Sequence, residues 1–173
     1  MSGGAGRRSA TSCGSRAPPA AAAGAGACVA KTCMASRTFF DTNVLVYLFD
    51  ADSPDKQARA RDALQQALER GPVVISTQVL QEFFVTVTRK LARPLPAREA
   101  EAALRRLMEL SVVQVDADLI LAAAVSSRRD RISFWDALIL AAASVAGCQE
   151  VLSEDLQHGQ SFGRVRIANP LRS

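Results

Sequence analysis

From Arg37 onward, short apolar runs alternate with longer stretches in which apolar residues recur every three or four positions. That alternation predicts an α/β domain with a mainly parallel sheet. "RTFF", ending at Asp41, reads as the first strand. "SPDKQARARDALQQALERG" predicts a helix with Ser53 as N-cap, Pro54 at its first position and Gly71 just past its end. "PVVIST" predicts the second strand, followed by a helix from about Thr77 that "RPLP" terminates. This helix is rich in β-branched residues, yet Val79, Leu80, Phe83, Phe84 and Val87 fall at helical spacings. "AREAEAALRRLMEL" predicts another helix, "SVVQV" a third strand, and "DADLILAAAVSSRR" a helix capped by Asp116. "ISFWDALILAAASVAG" is the most apolar helix and should end at Gly147. "EVLSED" reads as a strand terminating in acids, and "VRIANP" as a short last strand. No internal repeat is visible.

Composition changes the picture at the N-terminus. Residues 1–33 consist almost wholly of Gly, Ala, Ser, Pro and Arg, with no Leu, Ile or aromatic residue, so they cannot bury enough apolar surface to fold. A disordered Gly/Ala/Arg-rich extension over residues 1–36 and a single domain over 37–173 are therefore expected. "APPAAAAGAGA" is too weakly apolar for the centre of an export signal. "MASRTFFDTN", from Met34, reads as a natural beginning of the domain, so an upstream start is expected to have been assigned in error. N-terminal sequencing that finds Met1 or Ser2 on the native protein contradicts that expectation. The formal charge of +4 comes from the extension: it holds four of the 21 basic residues and none of the 17 acids, leaving 17 of each elsewhere. The basic pI is thus no argument for a nucleic-acid ligand. Cys148 stands alone in the domain, which excludes a disulfide framework or a CxxC metal site and fits a reducing cytoplasm. No apolar run is long enough to span a bilayer, so no membrane association is expected.

Four acids interrupt apolar surroundings. Asp41 ends the first strand, Glu82 lies inside "QVLQEFFV", Asp136 inside "SFWDALILAA", and Asp155 follows Glu154 in "EVLSED". In a parallel sheet the carboxyl ends of the strands share one edge, where ligands bind. Asp41 and Asp155 should face that crevice, with Asp136 near the start of its helix and Glu82 about one turn into its own. Each acid also has an ordinary alternative. Asp41 suits the N-cap of a helix from Thr42 or Asn43, Ser133 and Asp136 suit a capping box, and the other acids suit solvent. Converging carboxylates repel one another and retain protons unless a cation neutralises them. Oxygen ligands without His or Cys suit Mg²⁺ or Mn²⁺. Such an ion can acidify an attacking water and stabilise charge on a phosphate, which points to phosphodiester hydrolysis.

"FFDTNVLVYLFD", "STQVLQEFF", "ISFWDALILAAA" and "VLSEDLQHG", in this order and at these intervals, resemble the PIN-domain ribonucleases, most closely the VapC-type toxins of type II toxin–antitoxin systems. The resemblance covers residues 37–170. It implies a three-layer α/β/α fold and a metal-dependent endoribonuclease, usually a homodimer, held inactive by an antitoxin protein. Carried over by position, Asp41, Glu82, Asp136 and Asp155 are the catalytic and metal-ligating acids. Asn43 and Ser153 would orient the carboxylates or a water, and Glu154 would replace or assist Asp155. The extension before Met34 departs from the family's compact chains.

RNA needs positive charge near such acids. Arg89, Lys90 and Arg93 after the Glu82 helix, and Arg128, Arg129 and Arg131 before Ser133, are candidates for phosphate contacts, though helix ends carry such residues ordinarily. His158 is expected in a loop rather than as a base, Cys148 in the core, and Phe134 and Trp135 packed on the sheet rather than stacked on a nucleobase. Two competing functions are open at this point. A haloacid dehalogenase-type phosphatase wants a second Asp two positions after the first, where this chain has Asn43. A catalytically silent binder of RNA or protein would not need all four acids.

Overall fold

The computed structural model describes residues 36–172, so the expected extension up to residue 35 lies outside the described residues. Ser36 already belongs with the domain, its N–H donating to the Arg70 carbonyl at 3.2 Å. The described elements are β1 (Thr38–Phe40), α1 (Thr42–Tyr47), α2 (Pro54–Arg70), β2 (Val73–Ser76), α3 (Thr77–Arg89), α4 (Ala97–Leu107), β3 (Ser111–Val113), α5 (Ala117–Asp130), α6 (Phe134–Val145), β4 (Glu150–Leu152), β5 (Ser161–Phe162) and β6 (Val165–Ala168).

The strands form one sheet in the order β3-β2-β1-β4-β6-β5, parallel throughout except for β5 against β6. Every residue of β1 and β2 is buried, which a sheet achieves only when helices cover both of its faces. The α/β architecture read from the alternating pattern is therefore the one observed. Phe39, Phe40, Val44, Leu45, Ile75, Val151 and Ile167 are fully buried at its centre.

The β-branched segment from Thr77 is helical. Val79, Phe83 and Val87, one turn apart, are its buried stripe, and Phe83 meets Phe49 edge to face at 5.3 Å. Ser76 caps it by accepting from the Val79 N–H. Asp116 caps α5 as expected, through the Leu119 N–H at 2.8 Å. Ser53 stands at the N-cap of α2, but its hydroxyl closes no cap bond there. Past α6, Gly147 adopts φ +68°, a left-handed conformation open to glycine, and lets Cys148 N–H donate back to the Ala143 carbonyl at 2.9 Å.

Several boundaries differ from the sequence reading, each for a local reason. The strand before Asp155 ends at Leu152: Ser153 N–H adds one last bond to the Ala168 carbonyl of β6, and the Ser153 hydroxyl then accepts the Asp155 and Leu156 N–H groups, which turns the acids into a loop. The third strand stops at Val113, and Thr77 Oγ1 accepts the Val115 N–H beyond it. The last helix starts at Phe134, two residues later than read. The short helix α1 is the one that the N-cap alternative for Asp41 allowed, whereas the two-residue strand β5 had not been anticipated. Among the described residues no helix is long and apolar enough to cross a membrane.

Candidate active site

The adjacent parallel strands β1 and β4 bring two distant segments side by side. The ladder runs one residue past β1, with the Asp41 N–H donating to the Leu152 carbonyl at 3.0 Å. Asp41 then caps α1 through a 2.6 Å bond from the Thr42 N–H, so the ordinary role foreseen for it is real. Its other oxygen accepts from the Ser153 hydroxyl at 2.6 Å and from Asn43 Nδ2 at 3.1 Å.

Ser153 is 0% exposed, and its Oγ also accepts the Asp155 and Leu156 N–H groups, which fixes the turn after β4. Asn43 donates to Asp155 Oδ2 at 2.9 Å and accepts the Glu154 N–H at 3.2 Å, tying the two loops together. Glu82, on the second turn of α3, receives the Thr42 hydroxyl at 2.9 Å and Gln78 Nε2 at 3.0 Å, one bond on each carboxylate oxygen. Gln78 is only 4% exposed, and among the described residues its carbonyl oxygen has no hydrogen-bond partner.

Asp41, Glu82 and Asp155 line one cavity of about 600 Å³, together with Asp50 from the turn after α1. Burial raises the Asp41 pKa to about 6, against the lowering effect of the Ser153 and Thr42 bonds, and the nearby charges of Asp155 and Glu82 raise it further. Among the described residues, every hydrogen bond given to these three carboxylates comes from an uncharged donor. None of the three is in an ion pair among the described residues. Glu154 is the contrast. Lys56 Nζ meets its Oε1 at 2.5 Å and also donates to the Tyr47 hydroxyl at 2.8 Å, so the Glu154 charge is already neutralised.

The fourth expected acid is placed differently. Asp136 lies in the first turn of α6, where its N–H is capped by the Ser133 hydroxyl at 3.0 Å, and it does not line the cavity, although its neighbour Trp135 does. As the side chains stand, no three acid, His or Cys groups among the described residues are close enough to share an ion. Each carboxylate is turned instead toward its neutral donors. An all-oxygen set, with one member driven toward protonation by burial and, to a lesser degree, by its neighbours' charge, nevertheless suits a hard divalent cation.

Of the basic candidates, Lys90 lines the cavity. Arg93 pairs with Asp52 at 2.9 Å; Arg129 pairs with Asp130 at 2.7 Å and faces a different cavity bounded by α5, α6 and β5. Arg131 ends α5 at φ +56°, while Arg89 and Arg128 are exposed and line neither cavity. His158 is a loop residue whose Nδ1 accepts the Asn169 N–H at 3.0 Å. Cys148 is buried and its thiol is pushed up to about 11 by that burial, so it is an unreactive core residue. Phe134 packs on the core, but Trp135 does not: it is 60% exposed at the cavity. Sequence reasoning missed Thr42, Gln78 and Lys56. Gln78, a polar residue one turn before Glu82 in an apolar helix, offered a signal; Lys56, 98 residues from Glu154, offered none.

Residues 38–162 match the family model described as PIN domain. A comparison with curated proteins finds no match. Solved structures with the same fold include a toxin–antitoxin complex from Klebsiella pneumoniae (21% identity, TM-score 0.56, 77% of this chain and 97% of that one). They also include VapC20 from Mycobacterium tuberculosis, described as a sarcin–ricin loop cleaving toxin (27% identity, TM-score 0.54, 68% and 89%). A third is VapBC2 from Rickettsia felis bound to a DNA fragment from its promoter (15% identity, TM-score 0.56, 77% and 98%).

Proposed function

Because the chain belongs to the PIN domain family, we propose that it is a divalent-metal-dependent endoribonuclease and the toxin of a toxin–antitoxin pair, its partner an antitoxin protein. The observation that carries this reading is the charge of Asp41, Glu82 and Asp155 in one cavity, held among the described residues by neutral donors alone. The toxin assignment is supported by the VapC and toxin–antitoxin structures that share the fold.

Asp41, Glu82 and Asp155 are the side chains we assign to an ion, Mg²⁺ or Mn²⁺. When bound, it would supply a Lewis acid for the scissile phosphate and the attacking water. Asp136 stays in the assigned set on the sequence pattern alone, and Glu154 leaves it because Lys56 already holds its charge. Ser153 and Asn43 fix the relative positions of Asp41 and Asp155. Lys90 offers the cavity a positive charge for a flanking phosphate. Incubating the purified, antitoxin-free protein with total RNA and mapping the new ends tests the proposal. Cleavage with Mg²⁺ or Mn²⁺ and none with excess EDTA is expected; equal cleavage in EDTA would remove the metal from it.

Gln78 supplies a separate check. A buried carbonyl oxygen without a partner costs about 1–3 kcal/mol, so Gln78 does not stabilise the fold through that atom. Its side-chain amide restrains Glu82, the one bond it makes among the described residues. Gln78→Met, similar in size and without the polar atoms, should leave the metal-free melting temperature unchanged or higher. It should weaken Mn²⁺ binding in calorimetry about tenfold, the scale on which groups that orient metal ligands act. A variant that binds Mn²⁺ like the parent would show that Glu82 needs no such restraint.

A further inference from the structure

The carboxylates account for only part of the cavity. Along α3 its lining continues from Gln78 and Glu82 to Val85 and Thr86, and then to Lys90 and Leu91 past the helix end. At the rise of an α-helix, Glu82 to Lys90 spans about 12 Å, room for more than an ion and a phosphate. This stretch is apolar in part, and Val85 is 42% exposed. Trp135 lines the same cavity and is 60% exposed. Its ring is set edge to face against Phe134 at 5.3 Å, and Phe134 packs on the core, so the indole is braced against the domain while most of its surface stays open. A large aromatic left open in this way offers a flat apolar face to something planar.

We propose that Trp135 is the platform of a nucleobase subsite, on which a base adjacent to the scissile phosphate stacks. The inference rests on the nuclease reading and adds to it the group that recognises the substrate's base. Stacking accepts any base, because each has a π face, so Trp135 contributes affinity and placement of the strand rather than sequence choice. It stands one residue before Asp136, so a base lying on it is held beside the start of α6.

Trp135 is the single tryptophan of the chain, so its fluorescence reports this position. Nucleoside 5′-monophosphates, which have no internucleotide bond to cut, are titrated into the full-length protein with Mg²⁺, with ribose 5-phosphate as the same phosphate without a base. Saturable quenching by the nucleotides and none by ribose 5-phosphate is expected. In steady-state cleavage of RNA, Trp135→Ala should raise KM about tenfold with a smaller change in kcat, and Trp135→Phe should restore most of it. Equal responses to nucleotides and ribose 5-phosphate, or an unchanged KM in Trp135→Ala, overturn the subsite. Loss of binding to a protein partner with KM for RNA unchanged overturns it too, making Trp135 a protein contact. If the parent cuts no RNA while nucleotides still quench, the nuclease reading fails and the base subsite stands.

Discussion

Asp41→Asn is expected to lower RNA cleavage at least about a thousandfold, equivalent to about 4 kcal/mol of activation barrier, while making the metal-free protein more stable near pH 7.5. The substitution keeps the shape of the side chain, and Asn remains a good N-cap, so the bond from the Thr42 N–H to the start of α1 survives. What disappears is the charge. Burial, with Asp155 and Glu82 adding to it, raises the Asp41 pKa from 3.8 to about 6. That shift corresponds to about 3 kcal/mol of penalty on the ionised form, an upper bound on what the neutral amide recovers. The amide of Asn43, which donates to Asp41, would face a second amide and return part of it. Cleavage rates and melting temperatures measured side by side check both halves. Parental cutting by the variant would show that Asp41 serves α1 and nothing else.

The second large effect is the response to pH and metal together. Between about pH 4 and 6 the folded protein binds a proton at Asp41 that the unfolded chain releases, so this group's contribution to stability falls as pH rises through that window. The sign is opposite to that of a salt-bridged carboxylate. Other acids titrate in the same range, so the quantity to measure is the difference in stability between the parent and Asp41→Asn, which should change by up to about 3 kcal/mol and level off above pH 6. A divalent cation that binds the ionised cluster reverses the penalty. At a hundred times its dissociation constant it adds about 2.7 kcal/mol, raising the melting temperature by several degrees at pH 7.5 and much less at pH 5. Absence of a shift at pH 7.5, or an equal one at pH 5, would show that no ion is held by Asp41.

The signals that chain order carries were legible. Strands named by short apolar runs put Asp41 and the acids after Leu152 at one sheet edge, and the helical spacing of Val79, Phe83 and Val87 placed Glu82 about one turn into a helix that starts at that edge, where it lines the same cavity. What chain order does not carry was missed. Glu154 and Asp155 are adjacent acids in the sequence, and only Lys56, arriving from α2, separates their roles. Helical periodicity placed Phe134 and Trp135 at the start of α6 but could not say which would meet the core, since the first turn of a helix has neighbours on fewer sides. Arginines near Ser133 looked like RNA contacts by proximity in sequence, whereas Arg129 turned to Asp130 and a different cavity. β5 has two residues, too few for any period to show.

The order of strands in the sheet also sets when catalysis can begin. Asp41 and the serine that holds it lie 112 residues apart, and they become neighbours only when β4 docks beside β1. At ribosomal speeds of about 5–20 residues per second, the interval between their syntheses is about 5–20 s. Throughout it the nascent polypeptide carries Asp41 without Ser153 or Asp155 to complete the cluster. For a chain proposed to cut RNA, that delay shields the ribosome translating it from a finished enzyme.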